Sequence, residues 1–126
     1  MNKKKKTTKK QPKERGANVK YNGYTYSEMQ DLISEQIDSE ECPNNNPLYL
    51  DGWEGGLIGW QKDECGNVHA VYSEERMLAW WCKENKAEYI DAVEFYEYNT
   101  LRSLPYCSKE NVPYIVHTFD DSEHAR

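Results

Sequence analysis

Apolar positions along this chain change rhythm several times, and each change marks an element. Met29, Leu32, Ile33 and Ile37 recur three and four residues apart, which is one stripe of a helix. Thr25 and Glu28 have the spacing of a capping box, and Tyr24 faces Met29 as a hydrophobic staple, so this first helix is predicted to start there. It should fade near Asp38 and stop before Cys42 and Pro43, because the residue before a proline disfavours helical backbone. Asn44-Asn45-Asn46-Pro47 reads as a loop. A glycine- and aromatic-rich stretch follows, with a strand predicted over 57–61. The polar turn 62–67 then leads into Val68-His69-Ala70-Val71-Tyr72, giving an antiparallel hairpin. Gly59 marks either a bulge or a close approach in the first of these strands.

Helical spacing returns after Tyr72. Ser73 is a good N-cap, with Glu74 and Glu75 facing the positive end of a second helix. Met77, Leu78 and Trp81 form its predicted inward face, with Trp80 at the edge, and the helix should end near Asn85 and Lys86. A third helix is predicted over 87–98, with Tyr89, Ile90, Ala92, Val93 and Tyr96 on one side. Residues 99–110 connect it to a last strand, 114–119, expected to join the hairpin. The order α-ββ-αα-β predicts an α+β domain: a small, mainly antiparallel sheet of about three strands with helices on one face. Residues 1–23 read as a basic tail, 24–119 as one domain and 120–126 as a polar terminus.

Charge sharpens this division. Residues 3–20 carry nine Lys/Arg against the single acid Glu14, whereas 21–126 carry seven against twenty-one Asp/Glu. The net charge of -6 is thus a tail near +8 and a body near -14. Like charge at that density is self-repelling and suits a basic partner. No apolar run is long enough to cross a bilayer. The start Met1 to Lys6 imitates the charged end of a signal peptide, but no apolar stretch follows it, which predicts cytoplasmic residence. Cys42, Cys65, Cys82 and Cys107 lack a CxxC pair, so free thiols are expected.

Few residues carry a reaction. His69 and His117 fall in predicted strands that could bring them together, yet a zinc site also needs converging cysteines at a local pair spacing that is absent. Cys107 with His117 is the best imaginable nucleophile pair and has nothing specific behind it. Gly52, Gly55, Gly56 and Gly59 match no phosphate-loop pattern, and Asp51 and Glu54 would repel a phosphate. No catalytic residue, metal or cofactor is expected.

The third helix is more informative. Glu88, Asp91, Glu94 and Glu97 recur every three residues with no basic residue between them, a pattern that costs about 0.2–0.5 kcal/mol per pair. Phe95 and Tyr98 interrupt that charged arc with apolar surface, a mixture suited to a Lys/Arg-rich groove. The alternative is a solvated helix whose second apolar edge packs under the 99–105 loop. Lys3, Lys4, Lys5, Lys6, Lys9, Lys10, Lys13 and Arg15 allow a second partner, nucleic-acid phosphate, through a weak, salt-dependent, sequence-independent contact. No nucleic-acid-binding motif accompanies them. A homodimer through exposed aromatics also stays open.

The run Asp91-Ala92-Val93-Glu94-Phe95-Tyr96-Glu97-Tyr98-Asn99-Thr100-Leu101-Arg102-Ser103-Leu104-Pro105-Tyr106 carries a resemblance. So do Leu57-Ile58-Gly59, the passage 68–73 and Val112-Pro113-Tyr114-Ile115-Val116. Over residues 48–119 the chain resembles small uncharacterised proteins encoded by bacteriophages and mobile elements of Gram-positive bacteria. That resemblance transfers no catalytic residue. It implies a bacterial host cytoplasm and, by analogy with acidic phage inhibitors such as anti-CRISPR proteins, a nonenzymatic protein that inhibits a basic host protein, for example a CRISPR effector or another anti-phage defence protein. Within the motif, Asn99 would cap the helix C-terminus. Arg102 would either clamp a partner carboxylate or tie its loop to the acidic helix.

Overall fold

The computed structural model describes residues 19–41, 43 and 45–119. It is a small α+β domain. Two short strands, β1 (Lys20–Tyr21) and β2 (Tyr24–Thr25), precede α1 (Tyr26–Ser34). A 3-10 turn, Glu54–Gly56, leads into β3 (Leu57–Lys62) and β4 (Val68–Ser73). Then come α2 (Glu74–Asn85), α3 (Tyr89–Tyr96), a π-helical turn Glu97–Leu101, a 3-10 turn Leu104–Tyr106 and β5 (Tyr114–Val116). The predicted succession α-ββ-αα-β is contained in this order.

The domain starts earlier than residue 24. Asn22 and Gly23 both have positive φ, 53° and 87°, which makes a two-residue turn between β1 and β2. Asn-Gly is the sequence signal for that turn because both residues tolerate left-handed backbone. Val19, just upstream, is buried in the core. The basic residues Lys3, Lys4, Lys5, Lys6, Lys9, Lys10, Lys13 and Arg15 lie outside the described residues, as do Cys42 and the 120–126 terminus.

The expected capping box opens α1: Glu28 N–H donates to Thr25 Oγ1 at 3.1 Å, and Thr25 N–H to Glu28 Oε1 at 2.9 Å. Met29 and Ile33 are buried. The helix closes at Ser34, short of Asp38. It has no basic residue in its last turn, and the acids Glu35 and Asp38 that follow oppose the negative end of the helix dipole.

In the three-stranded sheet the order is β3-β4-β5. β3 and β4 are antiparallel, with Ile58 bulged out between the pairs Leu57↔Tyr72 and Gly59↔Val71. β5 runs parallel to β4, pairing Val71↔Tyr114 through Ser73↔Val116, so the sheet is mixed. A parallel neighbour requires a crossover, and α2 with α3 supplies it. The core gathers Leu57, Val68, Ala70 and Tyr72 from the sheet, Met77 and Leu78 from α2, and Ala92 and Tyr96 from α3. The 45–53 segment is pinned to this core. Asn45 Oδ1 accepts from Val68 N–H at 2.8 Å, and Leu50 N–H donates to the Tyr72 hydroxyl at 2.8 Å. Burial pushes the Tyr72 phenol far up and raises Tyr26 and Tyr49 to about 12, so all three rings stay neutral.

Two glycines hold the 3-10 turn against α2. A Cβ on Gly55 would lie 2.0 Å from Trp80 Cγ, and one on Gly56 would lie 2.1 Å from Met77 Cγ. On α3, Ala92 and Tyr96 point inward as the wheel predicts. Tyr89 and Ile90, placed on that same inward side by spacing alone, are exposed instead. At eight residues, α3 can bury only a narrow stripe.

Candidate functional site

The described surface carries an open cavity of about 730 Å³ between α2, α3 and the π turn. Trp81, Asp91, Glu94, Phe95, Glu97, Tyr98, Asn99 and Arg102 line it. Six of the seven residues singled out from sequence therefore share one wall: Asp91, Glu94, Phe95, Glu97, Tyr98 and Arg102. Glu88 does not line it.

An aromatic stack builds the site from below. Trp53, 2% exposed, meets Tyr96 edge-on with ring centroids 5.5 Å apart, and it also stands 6.1 Å from Trp81 and 6.0 Å from Phe95. Its indole N–H donates to Thr100 Oγ1 at 2.8 Å, so the buried donor is satisfied. Above it Trp81 and Phe95 stack at 5.0 Å and 24°. Such pairs contribute about 0.5–1.5 kcal/mol beyond area burial, enough to set the Phe95 ring in one place.

The π turn explains how one helix end faces both ways. Its wider winding puts Thr100 inward, against Trp53, while Glu97 and Tyr98 stay outside. The Asn99 side-chain amide donates to Phe95 O at 3.1 Å, capping the carbonyl end as its place in the motif suggests. Bulges of this kind concentrate at functional sites. Neither the π turn nor the Trp53–Thr100 bond has a signal in apolar spacing. Trp81 was legible only as a core residue.

Charge in the groove is not uniform in origin. Asp91 Oδ2 accepts from Glu88 N–H at 3.4 Å, and both acids sit at the N-terminal end of α3, where the helix dipole favours them. Glu94 and Glu97 have no such account. They lie toward the opposite end, exposed, with no basic residue in the last turn of α3. Phe95 and Tyr98 remain 42% and 70% exposed, so the 99–105 loop does not cover them. Arg102 is tied to the π turn through a ring: its Cζ stands 4.9 Å over the centroid of Tyr98. Among the described residues no carboxylate forms an ion pair with it.

The histidines do not converge. His69 is fully buried on β4, its Nδ1 2.7 Å from Val112 O and its Nε2 2.8 Å from Asp63 Oδ2, with Tyr114 stacked on the ring at 4.2 Å. Both nitrogens are engaged, which leaves neither for a substrate proton or a metal. His117 lies past the far end of the β4–β5 pairing and bonds Glu75 Oε2 through Nδ1 at 2.7 Å. That contact raises the His117 imidazole. At Glu75, burial pulls upward but is outweighed by His117 and the Thr118 N–H, so its carboxyl is lowered. Cys82 and Cys107 are free thiols. Among the described residues no three His, Cys, Asp or Glu side chains could hold a metal ion. No helix among them is long and apolar enough to cross a membrane.

Asp63 anchors the hairpin turn. Its carboxylate accepts from His69 and from the Asn67 side chain, and also from the N–H groups of Asn67 and Cys65. His69 first, then these other donors, hold its carboxyl far below the ordinary 3.8. A depressed carboxylate contributes stability above its unfolded value and loses it as pH falls toward the native one. Urea unfolding followed from about pH 5 to pH 2.5 should therefore show wild-type stability falling more steeply than that of Asp63→Asn, by up to about one proton per molecule. Parallel curves would show that the turn gains nothing from the charge.

Comparison with known proteins adds no family: no family model, no curated protein and no solved structure matches this chain.

Proposed function

We propose that this protein acts without catalysis, by binding a basic partner protein in the α3 groove and blocking the partner's cationic surface. The observation that carries the reading is the coincidence of Glu94 and Glu97, which helix energetics leave unexplained, with exposed Phe95 and Tyr98 around one cavity. Carboxylates steer and orient a cationic partner, while the rings supply burial that charge alone lacks. A surface that accepts acids on a neighbouring protein is the kind that also holds nucleic-acid phosphate, so occupying it is inhibitory. If the chain is of the phage and mobile-element kind that its 91–106 motif resembles, the partner would be a bacterial host protein such as a CRISPR effector or another defence protein.

Full-length protein immobilised and exposed to a Gram-positive bacterial lysate should retain a basic protein, and added salt should release it. The double reversal Glu94→Lys with Glu97→Lys should weaken retention about tenfold or more. Equal recovery by the reversed protein would remove the groove from the mechanism. Retention of nucleic acid rather than protein, lost when Lys3 to Lys6 are neutralised, would favour the tail as the functional element.

A further inference from the structure

The geometry points to a groove that takes arginine side chains and discriminates against lysine at equal charge; this rests on the reading of the α3 groove as a site for a basic partner. An ammonium group is a compact, strongly hydrated point charge. A guanidinium is flat and weakly hydrated, stacks on an aromatic face, and can give a carboxylate two parallel hydrogen bonds. The groove offers both requirements together, with exposed Phe95 and Tyr98 rings set among Asp91, Glu94 and Glu97.

The molecule already carries one instance of the contact. Arg102 lies 4.9 Å over the Tyr98 ring and, among the described residues, has no carboxylate partner. In a groove with three acids, that guanidinium is on the ring rather than in an ion pair, which marks Tyr98 as a platform for this group. Tyr98 is still 70% exposed with Arg102 in place, so ring surface remains for an incoming side chain.

Selectivity also answers a difficulty in the chain's own sequence. Residues 3–20 hold eight lysines and one arginine. They belong to the same chain as the groove, so a site that read charge alone would meet them as covalently linked competitors. A site reading charge alone would compete poorly for an outside ligand against that supply. A site reading the flat guanidinium keeps the lysines as weak competitors and leaves room for an arginine-bearing partner.

The test uses full-length protein and two labelled peptides, hexa-arginine and hexa-lysine, titrated at the same ionic strength. Hexa-arginine should bind about five- to tenfold more tightly. Tyr98→Ala, at a position 70% exposed, should bring the ratio close to one by weakening hexa-arginine binding much more than hexa-lysine binding. Glu94→Gln with Glu97→Gln should weaken both peptides. Equal affinities in the wild-type protein would overturn arginine selectivity and leave the acidic groove standing. Binding of neither peptide would overturn the groove itself. An arginine preference that survives Tyr98→Ala would overturn the assignment to this ring.

Discussion

Replacing Gly55 with alanine should destabilise the protein by about 3 kcal/mol or more, a drop in melting temperature of order 15 °C. The added methyl carbon would sit 2.0 Å from Trp80 Cγ and 2.5 Å from Trp80 Cβ. Rotating the indole away cannot relieve the second contact, because Cβ is fixed by the backbone of α2. The 3-10 turn must therefore move off the helix, opening the space between them. Gly59→Ala is the control. A Cβ there meets nothing within 4 Å, and its backbone φ lies outside the left-handed region, so the change should be neutral or slightly stabilising by lowering unfolded-state entropy. Thermal denaturation of the two variants side by side decides the matter. A mild Gly55→Ala would mean that the turn and α2 are not in close contact.

Trp53→Ala should cost about 3–5 kcal/mol, as large aromatic truncations in a core do. It removes the ring that Trp81, Phe95 and Tyr96 lean on, and it strips Thr100 Oγ1 of its donor. Groove binding should fall with stability, since the Phe95 ring loses its support. Thr100→Val separates the two effects. It leaves the packing almost intact and orphans the buried indole N–H, for about 1–3 kcal/mol. Urea midpoints of both variants, read with hexa-arginine affinity, provide the measurement. A Trp53→Ala protein that unfolds like the wild type would contradict the described stack.

Much of this architecture was legible from residue order because local rules and tertiary packing agree. The Thr25–Glu28 box, the Ser73 cap and the 62–67 turn each have a side chain that satisfies a specific backbone group, and each sits where its spacing indicates. The Asn22-Gly23 turn was equally written in the sequence but lay beside a lysine-rich stretch that masked it. Other features were not readable in principle. The direction of β5 depends on how the α2–α3 crossover returns, and no pattern within residues 114–116 encodes it. The orientation of Tyr89 and Ile90 depends on how little neighbouring surface α3 finds. For the groove, the acid spacing and the interrupting aromatics gave its rim. Its foundation, Trp53 against Thr100, joins residues forty-seven apart. Only the folded chain brings such a pair together.

The parallel seating of β5 has a kinetic meaning. β3 and β4 meet across a short turn and can zip at once, and α2 begins directly at the end of β4, so these three form a nucleus of near neighbours in the chain. β5 must wait for residues 74–113 to close a long loop before its three pairs reward the entropy spent. Loop closure thus predicts a late-forming seam here, and it is held at its far end by the Glu75 carboxylate, which receives both His117 and the Thr118 N–H. That clasp acts as a late fastener: it lends little to the speed of assembly and mainly slows the strand's departure once it has arrived.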